Sequence, residues 1–498
     1  MEFTWRKALF ICCMAGGILW FSNPISDYFF DYLADPNEME IIIAKSWNKT
    51  IDSPKPENMK FHAIAIGINA GIDIIVKGTD LLKKLGTDEK EESTIKATDR
   101  ESINNLRQLQ EVFTYFHSKG AGGERFMNNK ELFAKAVGMS KAMPGAELYV
   151  GGNAALMAQA IVQASAKNVH VLFGGMVGPG LSPMLNRRLI VPSKLKAEED
   201  EYHIILEYVK GEKWAGHVCP IASRFIFSHD LTNSRMLASE KFIDSLKEFN
   251  PDMVVLTGLH LLEGQPEAYW KRRLAEIAAS LAKVSTNVPI HTELASMANP
   301  AFVKALTERI LPMVDSIGLN EQELWMTCQA NGGPHCKPEY ELDGPPSPGV
   351  SNDIIHWMLQ QFSKRRIPSS RLSRVHFHTL VYHTVATLDS SKWRYGDSSV
   401  AAGARIASTQ SCGVHSVHPA KVELRLKSTI PLTAGGLPEN VEQPKDTRLD
   451  YSNPIISWKT SKISFFMTPV LVCQNPVKTV GLGDAISSMG LLHSGYDK

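Results

Sequence analysis

The sequence lacks an excess of charge of either sign. Its 53 Lys and Arg residues nearly balance 52 Asp and Glu residues, and the formal net charge is +1. Proteins that hold nucleic acid or an anionic membrane surface by electrostatic attraction carry a strong positive field. We therefore expect no nucleic-acid partner, and the balance suits an enzyme that acts on small molecules.

Cysteine is also scarce. The chain has 7 cysteines, and Cys12 and Cys13 fall in an apolar N-terminal segment. The remaining ones are odd in number and thinly spaced, which excludes a disulfide-rich scaffold. Only Cys328 and Cys336, which flank a loop, are expected to be able to pair.

The sequence has a single long apolar run, at residues 8–21, and Arg6 and Lys7 precede it. The run is shorter than the ~20 residues of a transmembrane helix, and no clean cleavage site follows. Residues 1–22 are therefore predicted to be a signal peptide or a short signal anchor, with possible membrane association left open. Residues 23–58 are predicted to form an exposed stalk that carries a glycosylation sequon at Asn48. We expect the secretory pathway: the endoplasmic reticulum lumen, a membrane-anchored form, or a secreted protein.

The chain of 498 residues has 44% hydrophobic and 21% charged residues, a globular composition that calls for a large core with an appended part. From residue 61 onward, short β-branched runs alternate with longer helical patterns, which predicts an α/β fold with a doubly wound, mostly parallel sheet. The predicted strands are residues 62–66, 148–150, 169–173, 253–257, 290–293, 316–319, 374–378 and 465–471. Predicted helices include residues 153–165, 234–249, 267–284, 300–313 and 353–362.

Two stretches interrupt this alternation, a charged and mostly helical one and one with strand patterns around turns. Together they predict a smaller lid over the crevice in which doubly wound sheets bind ligands. We expect one catalytic domain at residues 59–498. Its large core covers about 59–78, 145–198 and 230–498, and its lid covers about 79–144 and 199–229.

A glycine-rich motif near the C-terminus carries the strongest chemical signal. Gly481, Leu482 and Gly483 precede Asp484 and open an apolar helix. Bare backbone and the first free amides of a helix form an anion site, and an adjacent acid could take a proton from a hydroxyl. The alternative is a tight turn with a capping aspartate.

Further elements carry polar side chains to strand ends. Gly152 and Asn153 follow a strand and open a helix, where bare backbone could approach a ligand, although a plain strand-to-helix turn explains them equally well. Asp73 follows the first strand and could hold sugar hydroxyls. Arg224, on a predicted lid strand, could clamp a phosphate.

Acidic side chains follow two other strands. Glu293 ends one strand, and Asn320 and Glu323 follow the next, so that oxygen ligands could meet at one edge of the sheet. Magnesium prefers such ligands, often through its own waters and substrate phosphates. The alternative for Glu323 is helix capping.

Three histidines, His376, His378 and His383, are close together in the sequence and suggest a zinc site. No cysteine or acid pattern converges with them, so we favour histidines satisfied in the core or crevice.

These motifs, Gly-Leu-Gly-Asp, Gly-Gly-Asn-Ala, His-x-Glu, Asn-x-x-Glu and an early Gly-x-Asn-x-x-Ile-Asp, occur in the order found in ADP-dependent glucokinases. The chain resembles that family of the ribokinase-like superfamily from about residue 61 to its C-terminus, and its apolar start resembles the animal members. The resemblance implies a ribokinase-like doubly wound sheet with a smaller α/β lid. It also implies phosphoryl transfer from ADP to D-glucose, which yields AMP and glucose 6-phosphate. We expect a monomer.

The resemblance also implies roles for individual residues. Asp484 would be the catalytic base, next to the amides of Gly481, Leu482 and Gly483. The implied sugar contacts are Asp73, Glu124, Gly152, Asn153 and, as a weaker candidate, His229. The implied nucleotide or phosphate contacts are Arg224 and His378, and the implied ligands of one Mg²⁺ ion are Glu293, Asn320, Glu323 and Asp484. The sequence departs from the archaeal pattern at Gly71, where Asn is usual, and at Asn153, where Gln is common.

Two alternatives stay open at this point. One is a sugar kinase of the same fold with another donor or with fructose 6-phosphate as acceptor, because no residue excludes a third phosphate on the donor. The other is a lumenal protein that binds sugar or nucleotide without catalysis. Asp484, Glu293 and Glu323 argue against it, since a pure binding protein needs no base.

Overall fold

The computed structural model describes residues 36–165, 168–337, 344–438, 441–477 and 480–498. The predicted signal segment and the first part of the predicted stalk, residues 23–35, lie outside the described residues. So do Thr479, just ahead of the Gly-Leu-Gly-Asp motif, and short parts of two loops. Across the described ranges, no helix is both long and apolar enough to cross a membrane.

The chain alternates strands and helices along most of its length. The strands are β1 (Ala63–Gly67), β2 (Gly71–Lys77), β3 (Ser102–Ile103), β4 (Gly123–Met127), β5 (Glu147–Gly151), β6 (His170–Phe173), β7 (Leu189–Ile190), β8 (Tyr202–Tyr208), β9 (Lys213–Trp214), β10 (His217–Val218), β11 (Ser223–Ser228), β12 (Met253–Thr257), β13 (Ile290–Glu293), β14 (Ser316–Leu319), β15 (Arg374–His378), β16 (Tyr382–Leu388), β17 (Trp393–Arg394), β18 (Val422–Leu424), β19 (Thr429–Ile430), β20 (Thr447–Arg448), β21 (Ile456–Thr460), β22 (Ile463–Pro469), β23 (Leu471–Cys473) and β24 (Gly495–Tyr496). The α-helices are α1 (Pro36–Ile51), α2 (Gly78–Leu85), α3 (Glu89–Glu92), α4 (Leu106–Lys119), α5 (Lys130–Lys141), α6 (Asn153–Ala164), α7 (Leu231–Ser234), α8 (Ser239–Phe249), α9 (Glu267–Leu281), α10 (Pro300–Arg309), α11 (Glu321–Asn331), α12 (Pro348–Phe362), α13 (Gly396–Ser411) and α14 (Leu482–Leu492).

Ten strands form a large sheet in the order β21-β22-β16-β15-β14-β13-β12-β1-β6-β7. Neighbours from β7 to β15 are parallel, and the pairs from β15 to β21 are antiparallel. The strands β12, β13 and β14 are buried along their whole length, as expected for parallel strands covered on both faces. The predicted α/β fold with a mostly parallel sheet is therefore confirmed.

The antiparallel end of this sheet was not predicted. Strand β16 follows β15 after only a short turn at residues 379–381, without an intervening helix. Strands were predicted from their alternation with helical patterns, so β16 was missed. The edge strand β21 was missed for the same reason.

Six strands form a smaller sheet in the order β3-β4-β11-β8-β2-β5. Helices α2, α4 and α5 pack against it. Phe113 of α4 and Phe225 and Phe227 of β11 are fully buried in the core between them. The smaller α/β layer expected from the lid segments is thus present.

Strands β2 and β5 also belong to this smaller sheet, although the predicted large core contained both. β2 runs parallel to β8, and β5 pairs antiparallel with β2. Ile72 and Ile74 of β2 are buried in the core of the smaller unit. A short apolar run has the same pattern in either sheet, so the sequence could not assign these strands.

The predicted stalk is wrong for residues 36–51, which form helix α1 packed against α13. Ile43, Trp47 and Ile51 of α1 are buried, and the Trp47 indole N–H donates to Thr468 Oγ1 at 2.9 Å. Asn48 of the sequon is exposed on this helix, where its Oδ1 accepts from Arg405 at 2.9 Å. The apolar spacing along α1 was the signal that the sequence offered.

Two disulfides are present among the described residues, where one at most was expected. Cys328 and Cys336 pair as predicted, and Cys412 also pairs with Cys473, 61 residues away in the sequence. The end of α13 and the end of β23 bring the second pair together, so only the tertiary fold could reveal it. Cys219 is free and buried.

Candidate active site

The candidate site lies where the carboxyl ends of the parallel strands meet at one edge of the large sheet. The first residues of α6, α11 and α14 lie at this edge, and residues 68–70 connect it to the smaller sheet. The first amide groups of a helix have no partner within the helix. This edge is where open α/β sheets bind their ligands.

Asp484 lies in the first turn of α14 and is buried. The amide nitrogen of Asn153 donates to Asp484 Oδ1 at 3.0 Å and lies 3.3 Å from Oδ2. Asn69 Nδ2 donates to Asn153 Oδ1 at 3.3 Å, and Asn69 Oδ1 accepts from the backbone N–H of Ala154 at 2.9 Å. This chain of hydrogen bonds holds the start of α6 against the start of α14.

The pKa of Asp484 is raised to about 7. Burial is the main cause, and the nearby negative charge of Glu293 adds to it. The hydrogen bond from Asn153 and the proximity of His378 act in the opposite direction. A carboxyl group whose pKa lies near neutral pH is suited to accept a proton in catalysis.

The residues before Asp484 leave the start of α14 open. Gly481 has a φ of 67°, a left-handed conformation that glycine adopts without strain, and no side chain caps the helix. A Cβ atom on Gly483 would lie 3.3 Å from the His378 ring. No side chain among the described residues caps the first amides of this helix, and the binding of phosphate by Gly481, Leu482 and Gly483 stays a prediction.

Glu293 at the end of β13 is held by two histidines. His291 Nε2 lies 3.2 Å from Glu293 Oε2, and His378 Nε2 lies 3.2 Å from Oε1. Burial alone would raise the pKa of Glu293, but these two contacts outweigh it and bring the pKa down to about 2. Glu293 is thus ionised, and His378 is engaged with it.

Asn320 and Glu323 form a capping box at the start of α11. Glu323 Oε2 accepts from the Asn320 N–H at 2.6 Å, and Oε1 accepts from the Ser296 N–H at 3.0 Å. Burial nevertheless raises the pKa of Glu323 to about 8, and Glu293 adds to the rise. The alternative role weighed for Glu323, helix capping, is confirmed.

The acidic groups near this edge suit a cation bound through water and phosphate oxygens. Nowhere in the described ranges do three or more histidine, cysteine or acidic side chains converge for direct metal coordination. Glu293, Glu323 and Asp484 are nevertheless all buried, and the negative charge of Glu293 raises the pKa of the other two. A divalent cation would offset this repulsion, and Mg²⁺ commonly keeps several of its waters.

On the smaller sheet, His203 links two aspartates. His203 Nδ1 lies 3.3 Å from Asp73 Oδ1, and Nε2 lies 3.1 Å from Asp230 Oδ2. Burial lowers the pKa of His203, but the hydrogen bonds to Asp230 and Asp73 outweigh it and raise the pKa well above its usual range. The structure therefore places a charged imidazolium beside Asp73, and sequence analysis missed both His203 and Asp230. The only signal for Asp230 was an acid directly after a predicted strand.

Glu124 lies on β4 next to this group. Much of its surface is exposed, but the surrounding protein desolvates the carboxyl group, and this desolvation is the main cause that raises its pKa. The positive charge of His203 opposes the rise, whereas Asp73 and Asp230 add to it. Glu124 thus belongs to the same acidic cluster as Asp73.

Arg224 and His229 lie on and just after β11. Arg224 is half-buried and, within the described part of the chain, its guanidinium forms no ion pair. His229 Nδ1 lies 2.7 Å from the Met127 carbonyl oxygen, and its ring packs against Phe126 and Phe133. The structure thus shows His229 joining β11 to β4, and its contact with sugar stays a prediction.

The three clustered histidines are buried with ring centroids 6.0–6.1 Å apart. His378 contacts Glu293 as expected, whereas His383 is satisfied only in part: its Nε2 lies 3.1 Å from the Thr379 carbonyl oxygen, but its Nδ1 has no hydrogen-bond partner among the described residues. His376 differs, because neither of its ring nitrogens has a hydrogen-bond partner among the residues described.

Comparison with known proteins identifies relatives of this chain. The model of the ADP-specific phosphofructokinase/glucokinase conserved region matches residues 62–493. The chain is 40% identical to the ADP-dependent glucokinase of Bos taurus, over 91% of this chain and 88% of that protein. It is 34% identical to a probable ADP-dependent glucokinase of Caenorhabditis elegans, over 96% and 94%.

Solved structures support the fold. The last common ancestor of ADP-dependent phosphofructokinases from Methanosarcinales matches with a TM-score of 0.63 and 19% identity, over 92% of this chain and 98% of that one. A hypothetical ADP-dependent phosphofructokinase from Pyrococcus horikoshii matches with a TM-score of 0.61 and 18% identity, over 87% and 98%. The ribokinase-like architecture expected from the motifs is therefore confirmed. The chain belongs to the ADP-specific phosphofructokinase/glucokinase family.

Proposed function

We propose that this protein is an ADP-dependent glucokinase, which transfers the β-phosphoryl group of ADP to D-glucose and releases AMP and glucose 6-phosphate. The observation that carries the proposal is Asp484, a buried carboxyl group with a pKa of about 7 at the open start of α14. The identity of 40% to the bovine ADP-dependent glucokinase supports the choice of donor and acceptor.

In this mechanism Asp484 accepts the proton of the sugar 6-hydroxyl. Asn153 orients the Asp484 carboxylate through its amide group, and the amides of Gly481, Leu482 and Gly483 bind the transferred phosphate. Phosphoryl transfer needs little covalent help, so positioning and charge neutralisation account for most of the acceleration.

The smaller sheet supplies the other side of the cleft. Asp73 and Glu124, together with the residues at the start of α6, are proposed to bind the sugar hydroxyls. Arg224 has no competing ion pair among the described residues, and it is proposed to contact the nucleotide phosphates when the lid closes. Closure of the lid would exclude water from the reacting groups.

One Mg²⁺ ion is proposed to bind at the edge near Glu293 and Glu323. When bound, the ion neutralises charge that develops on the phosphate oxygens. Asn320 Oδ1 already accepts two backbone N–H groups, at 2.8 and 3.1 Å. The carboxylates are therefore better candidates than Asn320 to hold water molecules of the ion.

Fructose 6-phosphate is a less favourable acceptor than glucose, because the sugar side is acidic. Asp73, Glu124 and Asp230 surround the single imidazolium of His203. The phosphate group that fructose 6-phosphate already carries would be repelled by this cluster. Sugar kinases of the family that accept a phosphorylated sugar would need a basic group here.

Acceptor choice can be tested with purified protein, ADP and Mg²⁺, by measuring AMP release with either glucose or fructose 6-phosphate. We expect turnover with glucose and at least about tenfold lower kcat/KM with fructose 6-phosphate, about 1.4 kcal/mol of discrimination. Asp484→Asn protein serves as the control for contaminating kinases. Higher kcat/KM with fructose 6-phosphate would refute the glucose assignment, and no turnover with either sugar would favour a binding protein.

We also propose that the protein works in the secretory pathway. Asn48 of the sequon is exposed, and the disulfides Cys328–Cys336 and Cys412–Cys473 suit an oxidising compartment. The N-terminal segment would direct entry and could retain the protein at the membrane as a monomer. A shift in gel mobility after glycosidase treatment, absent in Asn48→Gln protein, is the expected result. Wild-type protein that shows no shift would count against lumenal entry.

A further inference from the structure

A second cavity lies at the edge of the large sheet opposite the candidate active site. It has a volume of about 350 Å³ and lies around the amino end of β15 and the start of α13. Arg374 begins β15 and His378 ends it. At about 3.3 Å per residue these two residues are roughly 13 Å apart, so the cavity is distinct from the site at His378.

Arg374 is one of the charged residues that line the cavity, and it is almost completely buried. Its guanidinium donates to two neutral hydroxyl groups, Ser316 Oγ at 2.8 Å and Ser399 Oγ at 2.9 Å. No carboxylate of the described residues forms an ion pair with it. A buried guanidinium without a direct ion pair is costly, and burial lowers the pKa of Arg374 to about 9, although the charge of Glu293 acts in the opposite direction. The cavity is where an anion could reach this charge.

Trp393 gives a second, independent indication of a ligand. Its side chain lines the cavity and is only 4% exposed. The indole N–H has no hydrogen-bond partner among the described residues. The Arg374 guanidinium lies 5.0 Å from the Trp393 ring. An unpaired buried donor next to a buried cation that has no ion pair favours a ligand that accepts hydrogen bonds and carries negative charge.

The other charged side chains that line the cavity are two cations and one acid. They are Arg394, Lys459 and Asp389, but Arg394 is engaged in an ion pair with Asp497 at 2.8 Å, so the excess positive charge of the lining lies on Arg374. Asp389 already accepts from Ser464 Oγ at 2.7 Å and lies 3.6 Å from Lys459 Nζ. Helix α13 also starts at the cavity, but Asp397 in its first turn accepts from the backbone N–H of Ser398 at 2.8 Å and offsets the positive end of the helix. The attraction for an anion therefore depends on Arg374 and not on the helix.

We propose that this cavity is a second binding site, specific for a phosphate group, in which Arg374 and the Trp393 indole N–H hold the phosphate oxygens and Lys459 attracts the anion at the rim. A volume of about 350 Å³ leaves room for the body of a small phosphate ester in addition to the phosphate.

Inorganic phosphate is the first probe, added to the full-length protein while the melting temperature is followed. No nucleotide is added, because its phosphates could enter the cavity as well, and phosphate that binds at the start of α14 is recognised by its indifference to substitutions in the cavity. We expect a saturable rise in melting temperature for wild-type protein. Trp393→Phe and Lys459→Ala should each require several-fold more phosphate for the same rise. Lys427→Ala, the same charge change outside the cavity, should behave like wild type.

Arg374→Met separates ligand binding from a purely structural role. In phosphate-free buffer its melting temperature should stay close to that of wild type, because a buried charge without an ion pair has been removed. It should require several-fold more phosphate than wild type for the same rise in melting temperature. If Arg374→Met does not fold, the Trp393→Phe and Lys459→Ala titrations still decide. Superimposable phosphate titrations for wild type, Trp393→Phe and Lys459→Ala would overturn the proposal.

Parallel titrations with glucose 6-phosphate and AMP distinguish two sources of the phosphate group. An ester that binds more tightly than inorganic phosphate, with the same dependence on Trp393 and Lys459, identifies the ester as the ligand. Equal affinity identifies the bare anion. An ester response that is indifferent to both variants, together with no response to inorganic phosphate, would contradict a site in this cavity.

Discussion

Replacing Asn153 by Leu should move the pH dependence of catalysis to higher pH. Asn153 donates a hydrogen bond to Asp484 at 3.0 Å and thereby favours the ionised carboxylate. Leu has a similar size but cannot donate. A hydrogen bond to a charged group contributes about 1.5–3 kcal/mol, and 1.36 kcal/mol corresponds to one pH unit in pKa. The pKa of Asp484 should therefore rise from about 7 by roughly one to two.

The sign follows from the role of the group. A base must be deprotonated to act, so activity is lost as the pH falls through the pKa of Asp484. At pH 7 the ionised fraction should fall from about one half to roughly 1–10%, a loss of about 5- to 50-fold in kcat/KM. Near pH 9.5 most of this pH-dependent loss should be recovered, because the variant carboxyl is then ionised as well, whereas any loss from the proposed sugar contact of Asn153 should remain at every pH.

The assay is the rate of AMP formation at limiting glucose from pH 5.5 to 9.5, because kcat/KM reports the pKa values of the free enzyme. Glu323, with a pKa of about 8, titrates in the same range, so Glu323→Gln is measured in parallel. The acidic limb should persist in Glu323→Gln and shift in Asn153→Leu. An unshifted limb in Asn153→Leu would refute the argument that this hydrogen bond sets the pKa of the base.

Three further predictions concern catalysis, metal dependence and stability. Asp484→Asn should lower kcat by on the order of 10²–10⁴. It should also stabilise the ligand-free protein above pH 7 by up to about 4 kcal/mol, because the pKa of Asp484 is raised from 3.8 to about 7 and ionising the buried acid costs stability as the pH rises through this range. Urea unfolding of both proteins at pH 5 and 8 checks this, and an equal difference in unfolding free energy at the two pH values would contradict it. Glu323→Gln should raise the Mg²⁺ concentration needed for half-maximal rate, whereas the control Glu321→Gln on the same helix should not; identical titrations would leave Glu323 as a helix cap alone. Trp47→Phe should lower the free energy of unfolding by about 1 kcal/mol, because the hydrogen bond to Thr468 is lost, and Trp47→Ala should lower it by about 3–5 kcal/mol. Urea unfolding measures both, and wild-type stability in Trp47→Ala would mean that α1 does not stabilise the fold.

Most strands of the large sheet and the central residue of the site, Asp484, could be predicted from the sequence. Strands that alternate with helices leave a clear pattern, and residues 253–257, 290–293, 316–319 and 374–378 were predicted with the bounds that the structure shows. Asp484 was identified because glycine-rich backbone before a helix is a local feature. The chemistry of an anion site at a helix start needs no knowledge of the rest of the chain.

Other parts depend on contacts between distant segments. The pKa of Asp484 depends on Asn153, 331 residues away in the sequence. His203 gains its charge only because β2 and β8 lie side by side and bring Asp73 to it. The pairing of Cys412 with Cys473 likewise requires the folded chain. No local pattern predicts such partners, because each depends on tertiary pairing.

Helix α1 shows a different limit. Residues 36–51 carry an amphipathic pattern, but their position after an apolar leader favoured a stalk. The burial of Ile43 and Trp47 against α13 was readable from their spacing of four residues, one helical turn. The prediction of a stalk gave more weight to the position of these residues after an apolar segment than to their helical periodicity.

Donor stoichiometry is the most direct test of the central claim. Purified protein is supplied with glucose, Mg²⁺ and either ADP or ATP freed of contaminating ADP, and AMP and glucose 6-phosphate are quantified together. The account predicts one AMP for each glucose 6-phosphate with ADP and almost no product with ATP, because in-line transfer tolerates only about an ångström of misplacement of the phosphate relative to Asp484. Comparable kcat/KM for ATP and ADP, or glucose 6-phosphate formed without AMP, would contradict it.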